Sequence, residues 1–267
     1  MRRTLLAGII AGVCIVGGVS AVWEHAANAA LAPVGLAVTA DVPVLSPRVA
    51  LAQPQQAIVF TNTTAQDLEI QTTPHSPAQA RLTVPAGGTA RLTLTTPGLY
   101  HFYDAATAHV IDYAAATDVL HTLPNAPIPD LPDQGWVVVP GPGGVPVNES
   151  IDVPAQNDLM APRVGAVRVG GSIILHNHDT DPHNMVTDPA DPTGAAFELL
   201  GTDGEPSIHG AERRITFSEP GLYHVYCSIH SHVMTTVGGW QMVMPRDSHA
   251  TGYADGNPME AWFLVVP

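Results

Sequence analysis

One stretch of this chain occurs twice. Residues 96–104 read TPGLYHFYD and residues 219–227 read EPGLYHVYC, and each is followed by an apolar run with a tryptophan, GWVVVP at 135–140 and AWFLVVP at 261–267. Tyr100 lies 36 residues before Trp136 and Tyr223 lies 39 before Trp262, so only a small insertion separates the copies. A repeat of this kind constrains the fold more than any composition does, because both copies must build the same supersecondary unit.

That unit is made of strands. Short runs of Val, Ile, Leu, Thr and Tyr bounded by Pro and Gly recur along the chain, as in QAIVFTN (56–62), GSIILHNH (171–178) and RRITFSEPGLYHVY (213–226). Helix signals are scarce. Between the copies, PGPGGVPVNES (140–150) has linker composition. The expected organisation is therefore two similar β-domains in tandem, residues 31–140 and 161–267, joined by a linker over 141–160. With 267 residues, 45% of them hydrophobic, there is enough apolar material for both.

The N-terminus carries a different signal. Arg2 and Arg3 precede a nearly continuous apolar run from Leu5 to Trp23, and Ala27-Asn28-Ala29 follows as a small-residue cleavage pattern. Residues 1–30 are expected to be an export signal peptide, the alternative being an uncleaved N-terminal anchor, since about 20 apolar residues can span a bilayer. The protein is then periplasmic, cell-surface or extracellular, with membrane contact only through that segment. Acidic residues outnumber basic ones 24 to 10, and all ten basic residues are arginine, for a net charge of -14. This balance argues against a nucleic-acid partner, which gathers positive charge to displace counterions.

Cys14 lies within the leader, so a processed chain keeps Cys227 alone and forms no internal disulfide. Outside the cell a lone thiol survives by burial or by metal binding. Its neighbours favour the metal: His230 follows by three residues, His232 by five and Met234 by seven. A thiolate with imidazoles and a thioether suits copper, whereas a nearby Met is not a typical zinc ligand. A further histidine is supplied by HNHDTDPHNMVTDP (176–189), where His183 follows a proline at a strand end and Asn184 is placed to hydrogen-bond the cysteine loop. The first copy keeps the scaffold without the ligands. Asp104 stands at the position of Cys227, Thr107 at that of His230 and Ile111 at that of Met234, and only His109 matches a candidate, His232.

Through Pro182-His183-Asn184, the run Tyr223 to Cys227, and the His/Met loop to Met234 with Gly238-Gly239 beyond it, the second half resembles the cupredoxins, the small blue copper proteins. The resemblance covers about residues 160–267. The repeat extends it, without the metal, to about 35–140. It implies an all-β chain of two tandem Greek-key β-sandwich (cupredoxin-like) domains binding one type 1 copper, with His183 and Cys227 as ligands. It leaves two arrangements for the rest. In a plastocyanin-like one, His230 is the second imidazole and Met234 the axial thioether; in an auracyanin- or laccase-like one, His232 is the imidazole and Val237, which cannot coordinate, takes the axial place. We favour the first.

The function so implied is single-electron transfer to and from redox partner proteins without catalysis. The rival is a copper oxidoreductase of the nitrite reductase or multicopper oxidase kind, or a copper-holding and delivery protein. Against an oxidoreductase, Tyr226 and Ser228 flank the cysteine where those enzymes carry histidines bridging to a second copper centre. His176 and His178 read as a strand-end polar pair, the alternative being a second metal site. Tyr100, Tyr223, His101 and His224 occur in both copies and are expected to pack in each core or bond a corner. His75, His121, His209 and His249 lack companions at ligand spacing, and Met242 and Met244 alternate as core residues would.

Overall fold

The computed structural model describes residues 32–40, 44–113, 117–128, 131–145, 148–156, 159–178, 182–187, 212–235, 241–245 and 258–267. The leader over 1–30, His209, Val237, Gly238, Gly239 and His249 lie outside them. The described residues contain strands and no helix, so no helix among them is long and apolar enough to cross a membrane.

The first half comprises β1 (Val34–Val38), β2 (Val49–Leu51), β3 (Ala57–Asn62), β4 (Leu68–Thr72), β5 (Arg81–Val84), β6 (Thr89–Thr93), β7 (Gly98–Asp104), β8 (Ala108–Tyr113), β9 (Thr117–Thr122) and β10 (Gln134–Val139). The second comprises β11 (Asn148–Gln156), β12 (Leu159–Met160), β13 (Val164–Asn177), β14 (Val186–Thr187), β15 (Glu212–Thr216), β16 (Gly221–Tyr226), β17 (Ser231–Thr235), β18 (Gln241–Pro245) and β19 (Glu260–Val266). This is an all-β protein built from two halves, and among the described residues no sheet is shared between them.

In the first half a three-stranded sheet, β1-β3-β6, faces a five-stranded one, β2-β10-β7-β4-β5. Alternation supplies the core: β3 and β4 bury every second side chain, and Phe60, Ile70, Tyr100 and Phe102 fill the space between the sheets. The second half repeats most of these pairings among its described residues, with one strand doing double duty. β13 does the work of both β2 and β3: its first part runs parallel to β19, as β2 does to β10, and its second part pairs with β11 and β15, as β3 does with β1 and β6. Such a strand must bend between layers, and it does so at Gly170, whose φ of 84° a side chain would resist.

The counterpart of β1 is β11, which lies within 141–160, the span with linker composition. Residues 148–156 therefore belong to the second sandwich; the Pro/Gly-rich signal is confined to the residues before them, and β11 is recruited by parallel pairing with β13. Local details repeat too. Ser46-Pro47 and Ala161-Pro162 are both cis, Tyr100 Oη donates to Thr96 O (2.8 Å), and Tyr223 Oη donates to Glu219 O (2.9 Å).

The halves meet through outward faces of their large sheets, where Val49, Trp136, Val138 and Val164 cluster with Leu222 and Trp262. His101 stacks on Trp136 (4.6 Å between centroids) and His224 on Trp262 (3.6 Å, 1°). Arg163 lies over the Trp136 ring at 5.5 Å and donates to Glu260 Oε1 at 3.1 Å, and His224 Nε2 meets Glu260 Oε2 at 2.7 Å. All three members of this ionic group are buried. Burial alone would raise the Glu260 carboxyl; the His224 hydrogen bond and the charges of His224, Arg163 and Arg48 outweigh it and hold the group below the ordinary carboxylate range.

Candidate metal centre

Cys227 follows the last residue of β16, a strand held between β19 and β14. Its N–H donates to Met259 O (2.9 Å) and its carbonyl accepts from Ser231 N (2.8 Å), so the chain turns at once and brings His230 back over the sulfur. His183 arrives from the other side. Pro182 fixes the backbone before it, and β14, three residues on, pairs Val186 with Tyr226, which anchors the His183 loop beside the cysteine.

Asn184 ties the two loops together. Its Nδ2 donates to Ser228 Oγ (2.9 Å), its Oδ1 accepts from Ser228 N (2.8 Å), and its own N–H points at Cys227 Sγ (3.5 Å). This is the clamp expected from the Pro-His-Asn run.

Three donor atoms converge as a result. His183 Nδ1 and His230 Nδ1 are 3.1 Å apart, and Cys227 Sγ is 3.9 Å from the first and 3.5 Å from the second. A point equidistant from all three lies about 2.0 Å from each, which matches metal–imidazole bonds of about 2.0–2.1 Å and falls just inside a metal–thiolate bond of about 2.3 Å. His183 and Cys227 are fully buried and His230 partly so. Burial pushes the Cys227 thiol up, but hydrogen bonds with His183 and His230 and from the Asn184 N–H outweigh it and bring the thiol down to about 6. One soft and two borderline donors in a dry, preformed triangle fit copper. It is the sole His/Cys/Asp/Glu trio of this kind among the described residues.

The other candidates lie elsewhere on the scaffold. Met234 is on β17 and packs with Met244 and Ile128 against Val44 and Leu131. His232 is also on β17, opposite Met244 of β18, and is not in the trio. His176 pairs with Glu212 (3.1 Å) and lies edge-on to His178. His75, which has no companion by spacing, meets Asp118 at 2.7 Å, and His109 faces His121 across β8–β9. In the first half, Asp104 replaces the thiol with a turn-capping carboxylate that accepts from the N–H groups of Glu69 (2.8 Å) and Ala106 (3.1 Å). Sequence reasoning missed the Arg163–Glu260–His224 group; its only trace is the repeated Pro-Arg at 47–48 and 162–163 beside the repeated Tyr-His.

No protein-family model matches the chain, and neither does any curated protein. Among solved structures it is similar to the reduced state of an amicyanin mutant (20% identity, TM-score 0.29, covering 43% of this chain and 81% of that one). It is also similar to a purple cupredoxin from Nitrosopumilus maritimus (18%, TM-score 0.28, 43% and 98%). A third likeness, to a copper-containing nitrite reductase from Thermus scotoductus SA-01, spans both halves (14%, TM-score 0.29, covering 88% of this chain and 68% of that one). At TM-scores this low the alignments establish likeness alone.

Proposed function

We propose that this protein is an exported electron carrier that binds one type 1 copper. The observation that carries the reading is the convergence of Cys227 Sγ with the Nδ1 atoms of His183 and His230 in a buried triangle of metal-bonding size. Bound copper supplies a one-electron couple. The chain supplies the rest: Cys227 gives an anionic sulfur, His183 and His230 complete the plane, and the Asn184 clamp keeps the two loops from separating when the charge at the site changes. A framework that fixes its ligands in this way keeps reorganisation small. Met234, four residues past His230, packs with Met244 against Val44 and Leu131, so no axial thioether is included in this reading. The first sandwich serves as a structural partner to the second through the tryptophan interface. Redox proteins are the proposed partners, and residues 1–30 the proposed export segment.

The test is the absorption and spin-resonance spectrum of the copper-loaded protein. Thiolate-to-copper charge transfer near about 600 nm is expected, abolished in Cys227→Ser and His230→Ala and retained in His232→Ala. Absence of the band from a fully oxidised, copper-loaded sample refutes the reading, and its loss in His232→Ala but not in His230→Ala reassigns the second imidazole.

A further inference from the structure

Two metal-ligating side chains face each other at the same place in both copies. The offset that carries Asp104 onto Cys227 also carries His109 onto His232 and His121 onto Met244. Across β8–β9, His109 stands opposite His121, with ring centroids 5.9 Å apart, and across β17–β18, His232 stands opposite Met244. The hairpin register is thus the same in the two halves, but the second half has replaced an imidazole pair with an imidazole and a thioether.

The second-half pair is the one with an unmet need. His232 Nδ1 is buried from solvent and has no hydrogen-bond partner. Such an atom costs stability unless something occupies its lone pair or takes its proton. The residue directly opposite contributes a sulfur, which neither donates a strong hydrogen bond nor accepts one well. Both side chains are only partly exposed. Met234, two residues along on the same strand and so on the same face as His232, packs with Met244 against Val44 and Leu131. The face is therefore closed on one side by apolar residues of the first half, surroundings that disfavour a divalent cation carrying its water shell. Thioether with imidazole in an apolar setting selects a soft monovalent d¹⁰ ion, and above all Cu(I).

We propose that His232 and Met244 form a second, Cu(I)-selective site, held through His232 Nδ1 and the Met244 sulfur. It uses none of Cys227, His183 and His230, and it rests on the reading that gives the second imidazole of the type 1 site to His230 rather than His232. No change of oxidation state accompanies binding.

The probe is Ag(I), a monovalent d¹⁰ ion with the same preference, titrated calorimetrically into the full chain carrying Cys14→Ser and Cys227→Ser so that neither thiol takes it up. One Ag(I) per chain is expected, and adding either His232→Ala or Met244→Leu is expected to weaken its binding at least tenfold. With methionine methyl groups labelled with ¹³C, the Met244 resonance shifts on addition of Ag(I) in the Cys227→Ser chain and stays in place once His232→Ala is added. If Cys227→Ser does not fold, the same two substitutions in the chain carrying Cys14→Ser alone are expected to lower uptake from two Ag(I) to one. Undiminished uptake and affinity with both substitutions, or no uptake by folded Cys227→Ser, overturns the proposal. The visible band of the copper-loaded protein reports on the Cys227 site and not on Ag(I) uptake by the Cys227→Ser chain, so a failure there is separable from a failure here.

Discussion

Removing the carboxylate at Glu260 should destabilise the protein more than any other single polar change at the seam between the halves. Glu260 is 3% exposed and has two partners, Arg163 Nη2 at 3.1 Å and His224 Nε2 at 2.7 Å, themselves almost as buried. In Glu260→Ala the Arg163 guanidinium keeps its place over Trp136 and its weak contact with Pro258 O (3.4 Å) but loses its counter-charge in a water-poor interface. Stripping one partner from a buried pair costs about 3–5 kcal/mol. For a chain of this size each kcal/mol moves the melting temperature by about 2–4 °C, so a fall of about 6–20 °C is expected. Glu260→Gln retains an acceptor for His224 and should fall between wild type and Glu260→Ala. Arg163→Ala combined with Glu260→Ala should cost clearly less than the sum of the two single changes, because the second change removes the orphaned charge left by the first. The assay is calorimetric or circular-dichroism melting of the five proteins. A drop below about 1 kcal/mol for Glu260→Ala, or strict additivity in the cycle, refutes the reasoning, since either would mean that the pair contributes no more than an exposed one does.

Asn184→Ala removes both hydrogen bonds to Ser228 and is expected to lower copper affinity about 10- to 100-fold, measured by competition with a chromophoric chelator, while costing about 1–3 kcal/mol in urea melts. Tyr100→Phe and Tyr223→Phe should each cost about 1 kcal/mol through loss of the bonds to Thr96 O and Glu219 O, and the two should add because they lie in separate cores. Stability should also depend on pH through two buried groups acting in opposite senses. Burial, reinforced by the charge of Asp104, raises Asp133 from 3.8 to about 7, so its contribution is full below the unfolded value and is lost as pH rises from about 4 to about 7. Burial holds His101 down at about 3 against 6.5 unfolded, so its contribution is full above about 6.5 and is lost as pH falls towards 3. Urea midpoints measured across this range should therefore lose their alkaline-side fall in Asp133→Asn; an unchanged profile would refute the assignment.

The sequence alone determined what is periodic or local. The PGLYH repeat and the returning tryptophan runs specify two copies of one β-unit, because alternation and Pro/Gly punctuation act over a few residues and need no partner to be read. The nearness of His230 to Cys227 follows from a three-residue spacing after a strand end, and the Asn184 clamp from its place beside His183. Tertiary structure alone decided whatever depends on which strands pair and in what register. A composition typical of linkers did not reveal β11, since parallel pairing with β13 holds a strand through backbone hydrogen bonds, which need no alternation of side chains. Arg163, His224 and Glu260 are scattered along the second half, and only the pairing of β19 with β16 on one side and with the start of β13 on the other makes them one ionic group. His232 meets Met244 for the same reason. A hairpin register fixes which side chains share a face, and a slip of one residue would have turned the two away from each other.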